Sequence, residues 1–229
     1  MISRVMRRIG RDVKKYSRLR QARREGLVFV EPNFVYRPDL SPDSVVIDAG
    51  CSYQADFSIC LMQRHGVRAI GVDPTRKHQD ALRRIEGQHP GRFSHVPWAI
   101  AATDGRLTFH ESRVNESGSL FDDHVNVIRD ETTSYEVEAV TLGTLLARLG
   151  LETVDILKLD LEGAEYDLFE RVTARELWPF QQLFVEFHHH AVGHAGEADT
   201  WRLVRRVADF GFRTFSVDDH NFLFYRVSV

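Results

Sequence analysis

Apolar residues fall along this chain in short β-branched runs that alternate with stretches repeating every three or four positions. Ser44–Asp48 reads SVVID, a length and composition that predict a buried strand, and it leads into the tight turn Asp48-Ala49-Gly50. Phe57, Cys60, Leu61 and His65 carry helical spacing up to a stop at Gly66. Arg68–Asp73 predicts a second strand closed by Pro74, Lys77–Glu86 a helix ending near Gly87, and Phe93–Ala99 a third strand. Thr103-Asp104-Gly105-Arg106 and the following Leu107–His110 read together as a hairpin insertion. Residues 111–134 are polar and weakly periodic. A loop of that length inside one domain is expected to be functional, and it is read as a lid containing Ser117, Ser119 and Phe121.

The second half repeats the alternation. Val137–Val140 predicts a short strand, Thr141 the N-cap of a helix over Leu142–Leu149, and Asp155–Leu161 a buried strand followed by helix Ala164–Arg171. Gln182–Phe187 predicts a further strand running into His188-His189-His190, and Ala198–Phe210 an amphipathic helix. Arg213–Val217 and Phe222–Val227 flank a short turn, so they are expected to be antiparallel neighbours. Strands alternating with helices imply a mainly parallel sheet covered on both faces, here with an antiparallel C-terminal hairpin.

Charge adds one feature to this α/β reading. Residues 1–25 hold ten Lys or Arg against Asp12 and Glu25, a local net charge of +8, so the overall −3 leaves −11 on the rest. Ile2, Val5, Ile9, Val13 and Tyr16 recur at helical spacing. Residues 1–26 therefore predict a basic helical arm and 27–229 a single domain. Such an arm suits a second copy of the chain, an anionic surface, an acidic partner or the acidic body of its own domain. There is no run of about 18 apolar residues, no signal-peptide pattern, and only Cys51 and Cys60 as cysteines, so a cytoplasmic protein without a transmembrane segment is expected. With basic residues clustered on the arm alone, no nucleic-acid groove is expected.

Ligands of open α/β sheets bind beyond the carboxyl ends of the strands. The first strand ends at Asp48 and Gly50, and the second at Asp73, an acid placed to accept hydrogen bonds from a ribose. The turn Gly50-Cys51-Ser52-Tyr53-Gln54-Ala55 has one glycine, and neither G-x-G-x-x-G nor a P-loop occurs. That disfavours pyrophosphate-containing ligands and suits a nucleoside without phosphate, such as S-adenosylmethionine. Asp48, Gly50, Ser52, Tyr53, Asp73, Ala99 and Asp160 are the candidate cofactor residues. Asp160 and Glu162 end one strand and Glu186 and His188 the next, and paired carboxylates at a buried strand end need partners. Lys158 is expected to supply one through a structural ion pair, and Glu165 to cap the helix that follows. The candidate base is His188 as a neutral imidazole, with Glu162 next. The quartet Asp160, Glu162, Glu186 and His188 has donor types that suit a divalent metal, but its spacing matches no strong signature and no metal is expected.

Four segments resemble the FkbM family of methyltransferases: VVIDAGCSYQADFS with AIGVDPT, WAIAATDGRLTFH, VTLGTLL, and DILKLDLEGAEYDLFE followed by FVEFHHH. The resemblance spans Val45 to His190, and its most distinctive part is Lys158–Glu165. It implies a class I Rossmann-like fold of seven strands, S-adenosylmethionine as cofactor, and O-methylation of a hydroxyl on a small molecule or glycan. Family members often carry Asn and a second Gly in the first loop, where this chain has Ser52 and Ala55. The competing readings are a nucleotide-dependent oxidoreductase and a non-catalytic partner-binding domain with a vestigial nucleoside pocket.

Overall fold

The apolar runs become strands and the three-to-four spacings become helices in the computed structural model, which describes residues 16–30 and 33–227. Residues 16–24 form helix α1, and strands β1 (Val28–Val30) and β2 (Phe34–Tyr36) pair with each other after it. The first alternation is β3 (Val45–Ala49), α2 (Asp56–His65), β4 (Arg68–Val72), a 3-10 turn at Arg76–His78, α3 (Gln79–Gln88) and β5 (Phe93–Val96). Then come β6 (Trp98–Ile100), β7 (Gly105–Ser112), β8 (Gly118–Ser119), α4 (Val125–Arg129) and β9 (Thr132–Val140). The chain continues through α5 (Leu142–Leu149), β10 (Val154–Leu159), α6 (Glu165–Arg171), α7 (Ala174–Leu177), β11 (Phe180–Glu186), α8 (Glu197–Asp209), β12 (Arg213–Ser216) and β13 (Asn221–Tyr225).

The main sheet has seven strands in the order β12-β13-β11-β10-β3-β4-β5. β5, β4, β3, β10 and β11 are mutually parallel, and β13 runs antiparallel to both its neighbours, β11 and β12. Alternation along β3 shows why helices cover both faces. Ile47 and Ala49 face the cluster that contains Leu142, Leu145 and Leu146 of α5 and Phe169 of α6. Val46 faces the opposite cluster, with Phe57, Leu61 and Met62 of α2. Helix ends follow their signals: Gly66 and Gly150 take positive φ as C-caps, and Thr141 accepts the Thr144 N–H.

Two expectations are corrected. Phe93–Ala99 is not one strand, because Pro97 offers no N–H to a ladder and divides it into β5 of the main sheet and β6 of a second one. Residues 103–110 are not a local hairpin. In the second sheet, ordered β6-β9-β7-β8, β9 lies between β6 and β7 and pairs along all of β7. The expected long loop shrinks accordingly to 113–131, which carries β8 and α4. β1, β2 and α7 had no distinct signal.

The described end of the basic arm lies on its own domain. Ala22 (1% exposed) packs in a cluster with Val35, Phe184 and Leu223, and Arg18 Nη2 meets Asp219 Oδ1 at 2.5 Å. Tyr16 is exposed; Ile2, Val5, Ile9 and Val13, on which the expected apolar stripe rests, fall outside the described residues. No helix among the described residues is long and apolar enough to cross a membrane.

Candidate active site

Strand order reverses between β3 and β10, so their carboxyl ends part and leave a crevice. Gly50 turns the chain there with φ +73°, and a Cβ at this position would stand 1.8 Å from the Asp160 carbonyl oxygen. Only glycine permits that approach. Lys158, buried within β10, ties the two strand ends together. Its Nζ donates to Gly50 O (2.9 Å) and Asp160 Oδ2 (3.2 Å) and pairs with Asp48 Oδ1 at 3.3 Å. Burial would lower the lysine pKa, but Asp160 and then Asp48 outweigh it and raise it above the ordinary value. The expected structural ion pair is present.

A cavity of about 260 Å³ opens at this crevice. Val72, Pro74, Trp98, Ala99, Ile100 and Phe109 form an apolar slot on one side, and Asp160, Glu162 and Ala164 close the other. Among the described residues of its lining, four are carboxylates (Asp73, Glu116, Asp160 and Glu162) and none is lysine or arginine. Such a lining repels phosphates and attracts cations. The residues thus fit a nucleoside bearing positive charge, as S-adenosylmethionine does with its sulfonium and ammonium groups.

Gly50, Ser52, Asp73, Ala99, Asp160 and Glu162 all line the cavity. Asp73 ends β4 wholly buried: Oδ2 accepts the Ser52 N–H (2.9 Å) and faces His78 Nδ1 (3.2 Å), while Oδ1 accepts the Thr75 N–H (2.8 Å). Burial would raise its pKa, but His78 and then Thr75 hold it below the ordinary carboxylate value. A carboxylate offers about four acceptor positions, so one is left for a ribose hydroxyl rather than two. Three candidates lie elsewhere. Asp48 is fully buried beneath the turn, and Oδ2 accepts both the N–H (3.2 Å) and the hydroxyl (2.8 Å) of Ser58. Tyr53 faces a neighbouring wider cavity of about 830 Å³ and packs on His78. His188 stands behind the two carboxylates, 5% exposed.

The surroundings of His188 run against its expected role as a neutral base. Nδ1 lies 3.2 Å from Glu165 Oε1, and Nε2 lies 3.5 Å from Asp160 Oδ1 and 3.6 Å from Glu162 Oε2. Burial would lower its pKa, but Glu165, Glu162 and Asp160 together raise it well above the ordinary histidine value. Glu165 does not cap α6, which has no side-chain cap at its N-terminus; it accepts the N–H groups of Leu161 (2.6 Å) and Gly163 (3.0 Å), which holds the turn before the helix, and it anchors His188 as well. At Glu186, burial and then the charge of Asp160 raise the carboxyl pKa to about 7.

Glu162 sits in the left-handed backbone region at φ +51°, a strained position for a non-glycine residue. His124 Nε2 lies 2.8 Å from its Oε2, and Ser119 Oγ donates to its carbonyl at 2.7 Å. Burial would raise the Glu162 pKa, and the contact with His124 and the charge of His188 lower it below the ordinary value. Glu116 donates nothing but accepts the Ser52 hydroxyl at 3.3 Å across the cavity mouth. Neither His124 nor Glu116 was legible as a site residue, because both reach the crevice from aperiodic segment 113–131. The cluster of Ser, Asn, Asp and His within that polar stretch was the available signal.

The strand order, the switch-point crevice and its acidic nucleoside-sized cavity define a Rossmann-like methyltransferase fold. Residues 50–214 match the Methyltransferase FkbM domain, and the chain belongs to that family. Over 139 residues the chain is 26% identical to the 2-O-methyltransferase NoeI of Sinorhizobium fredii (strain NBRC 101917 / NGR234). That match covers 56% of this chain and 56% of the relative, so the chain spans about half the length of the curated relative it matches. Among solved structures it is similar to the fibrillarin pre-rRNA processing protein of Methanococcus jannaschii, with 10% identity over 88% of this chain and 70% of that one and a TM-score of 0.48. It is also similar to Aeropyrum pernix fibrillarin in complex with natively bound S-adenosyl-L-methionine, with 12% identity, 91% and 74% coverage and a TM-score of 0.46.

Proposed function

We propose that this protein transfers a methyl group from S-adenosylmethionine to a hydroxyl of a small polar molecule or sugar. The observation that carries the reading is the cavity with four carboxylates and neither lysine nor arginine among the described residues of its lining, joined to an apolar slot at a strand-order reversal. S-adenosylmethionine, when bound, supplies an electrophilic methyl group on a sulfonium. Gly50, Ser52, Asp73 and Ala99 hold the nucleoside portion, and the apolar slot excludes water around it. Asp160 and Glu162 stand at the far end, where an acceptor would meet the methyl group.

Transfer would form a C–O bond to the acceptor as the S–C bond broke, with the bonding pair passing to sulfur. The hydroxyl proton goes to Glu162. Its lowered basicity is adequate, because a hydroxyl oxygen gaining a third substituent becomes strongly acidic as the bond forms. His188 and His124 fix the carboxylate from behind. Orientation of this kind supplies roughly 7–11 kcal/mol, and a positioned base adds about 10²–10⁴-fold. The polar acceptor is supported by the adjoining wider cavity, whose lining includes Lys77, Arg84, Asn115 and Glu116, and by the activity in the name of the relative NoeI.

Calorimetry with S-adenosylmethionine, S-adenosylhomocysteine and NAD tests the binding half. The first two should bind and NAD should not; binding of NAD alone would sink the reading. For the catalytic half, labelled methyl transfer to extract hydroxyl compounds should fall about 10²-fold or more in Glu162→Gln with cofactor affinity kept.

A further inference from the structure

We propose that Asp160, Glu162 and His188 bind one divalent cation of the oxygen-preferring kind, Mg²⁺ or Mn²⁺, at the acceptor end of the cavity. One ligand atom from each lies within 4.8 Å of the others, and the two carboxylates, about a quarter exposed, open onto the cavity.

The imidazole points to a cation more strongly than the acids do. Glu165 is fully buried and already accepts two backbone N–H groups, so it acts as an acceptor and His188 Nδ1 donates to it. Nε2 faces the two carboxylates from a side chain 95% buried, and a cation bound there would take the place of its proton. Nε2 has no hydrogen bond: at 3.5 Å and 3.6 Å, both oxygens are beyond the usual N–H···O range of about 2.7–3.2 Å. Two ligands each about 2.1 Å from one ion stand up to about 4.2 Å apart, so the same gaps suit a shared cation. An imidazole that binds metal through one nitrogen and donates from the other to a held carboxylate is the usual arrangement at metal centres. Two carboxylates and a neutral imidazole also balance a double positive charge. His124, buried beside Glu162 Oε2, is a positioning residue for that ligand.

The cation's catalytic meaning rests on the methyl-transfer reading, with the acceptor oxygen at a coordination position that faces the cavity; its binding does not. Mn²⁺ is titrated into the full chain and its free signal followed by electron paramagnetic resonance, with and without S-adenosylmethionine. One equivalent should bind, together with the cofactor. Glu165→Gln should weaken binding about 10–100-fold through the anchoring contact alone. His188→Gln and Glu162→Gln should abolish it, and thermal melts identify folded variants; Glu162, partly exposed, gives a variant least dependent on core packing. Absence of binding, unchanged binding in folded His188→Gln or Glu162→Gln, or mutual displacement of Mn²⁺ and S-adenosylmethionine overturns the proposal. Calorimetry of S-adenosylmethionine in excess chelator is the separate check on the methyl-transfer reading.

Discussion

Ser52 and Ala55 hold φ angles of 56° and 49° in the first loop. They occupy the positions where members of the FkbM family often carry Asn and a second Gly. Asn and Gly are the residues that tolerate left-handed backbone, so the departure is a substitution at two positions of fixed geometry, and the loop keeps its shape at the cost of strain. Ser52→Gly should relieve about 1 kcal/mol and raise the Tm by about 2–4 °C, measured by calorimetric melting. Asp73 gives a pH signature. Because its folded pKa lies below the ordinary value of about 4, its contribution is complete above that value and is lost as the pH falls through its own lower one. Wild-type stability should therefore fall more steeply than that of Asp73→Asn below about pH 4, followed by urea midpoints across the acid range. Gly50, Asp73 and Asp160 were legible because a strand end and a tight turn restrict which residues serve there. The state of His188 was not, since it depends on three carboxylates whose approach only folding creates.

At the level of elements, the wall of the cavity comes from the second sheet and the segment it carries. Gly118 of β8 lies against Phe109 of β7, where a Cβ would stand 2.4 Å from the ring, and Ser119 reaches Glu162. Lys77, just beyond β4, holds the other end: its Nζ donates to the carbonyls of Ser112 and Asn115 at 2.5 Å each. Lys77→Met should free that end, giving several-fold faster tryptic cleavage after Arg113 in time-course proteolysis and a raised cofactor Kd by calorimetry, with the fold retained. Periodicity disclosed α5 and α8 almost to the residue because each buries one continuous stripe. It misread β7 because its partner, β9, is separated from it by the whole aperiodic stretch, and pairing at that distance leaves no local mark.

For the molecule as a whole, the parallel sheet with its reversed last pair was legible from the order of elements, since connection length and handedness leave few arrangements. The docking of α1 was not legible. Helical spacing marks an apolar stripe without saying what covers it, and here Ala22 meets strands nearly 200 residues further along. The second sheet joins this frame in an economical way. Ile100 of β6 and Val140 of β9 are register partners, and the Ala101 N–H donates to the Val140 carbonyl at 3.0 Å. The chain leaves and re-enters at one seam. Residues 101–139 are consequently a cassette in the engineering sense: a donor segment from another family member can be spliced at Ile100 and Val140 without cutting the seven-stranded frame, and it would carry one wall of the cavity with it.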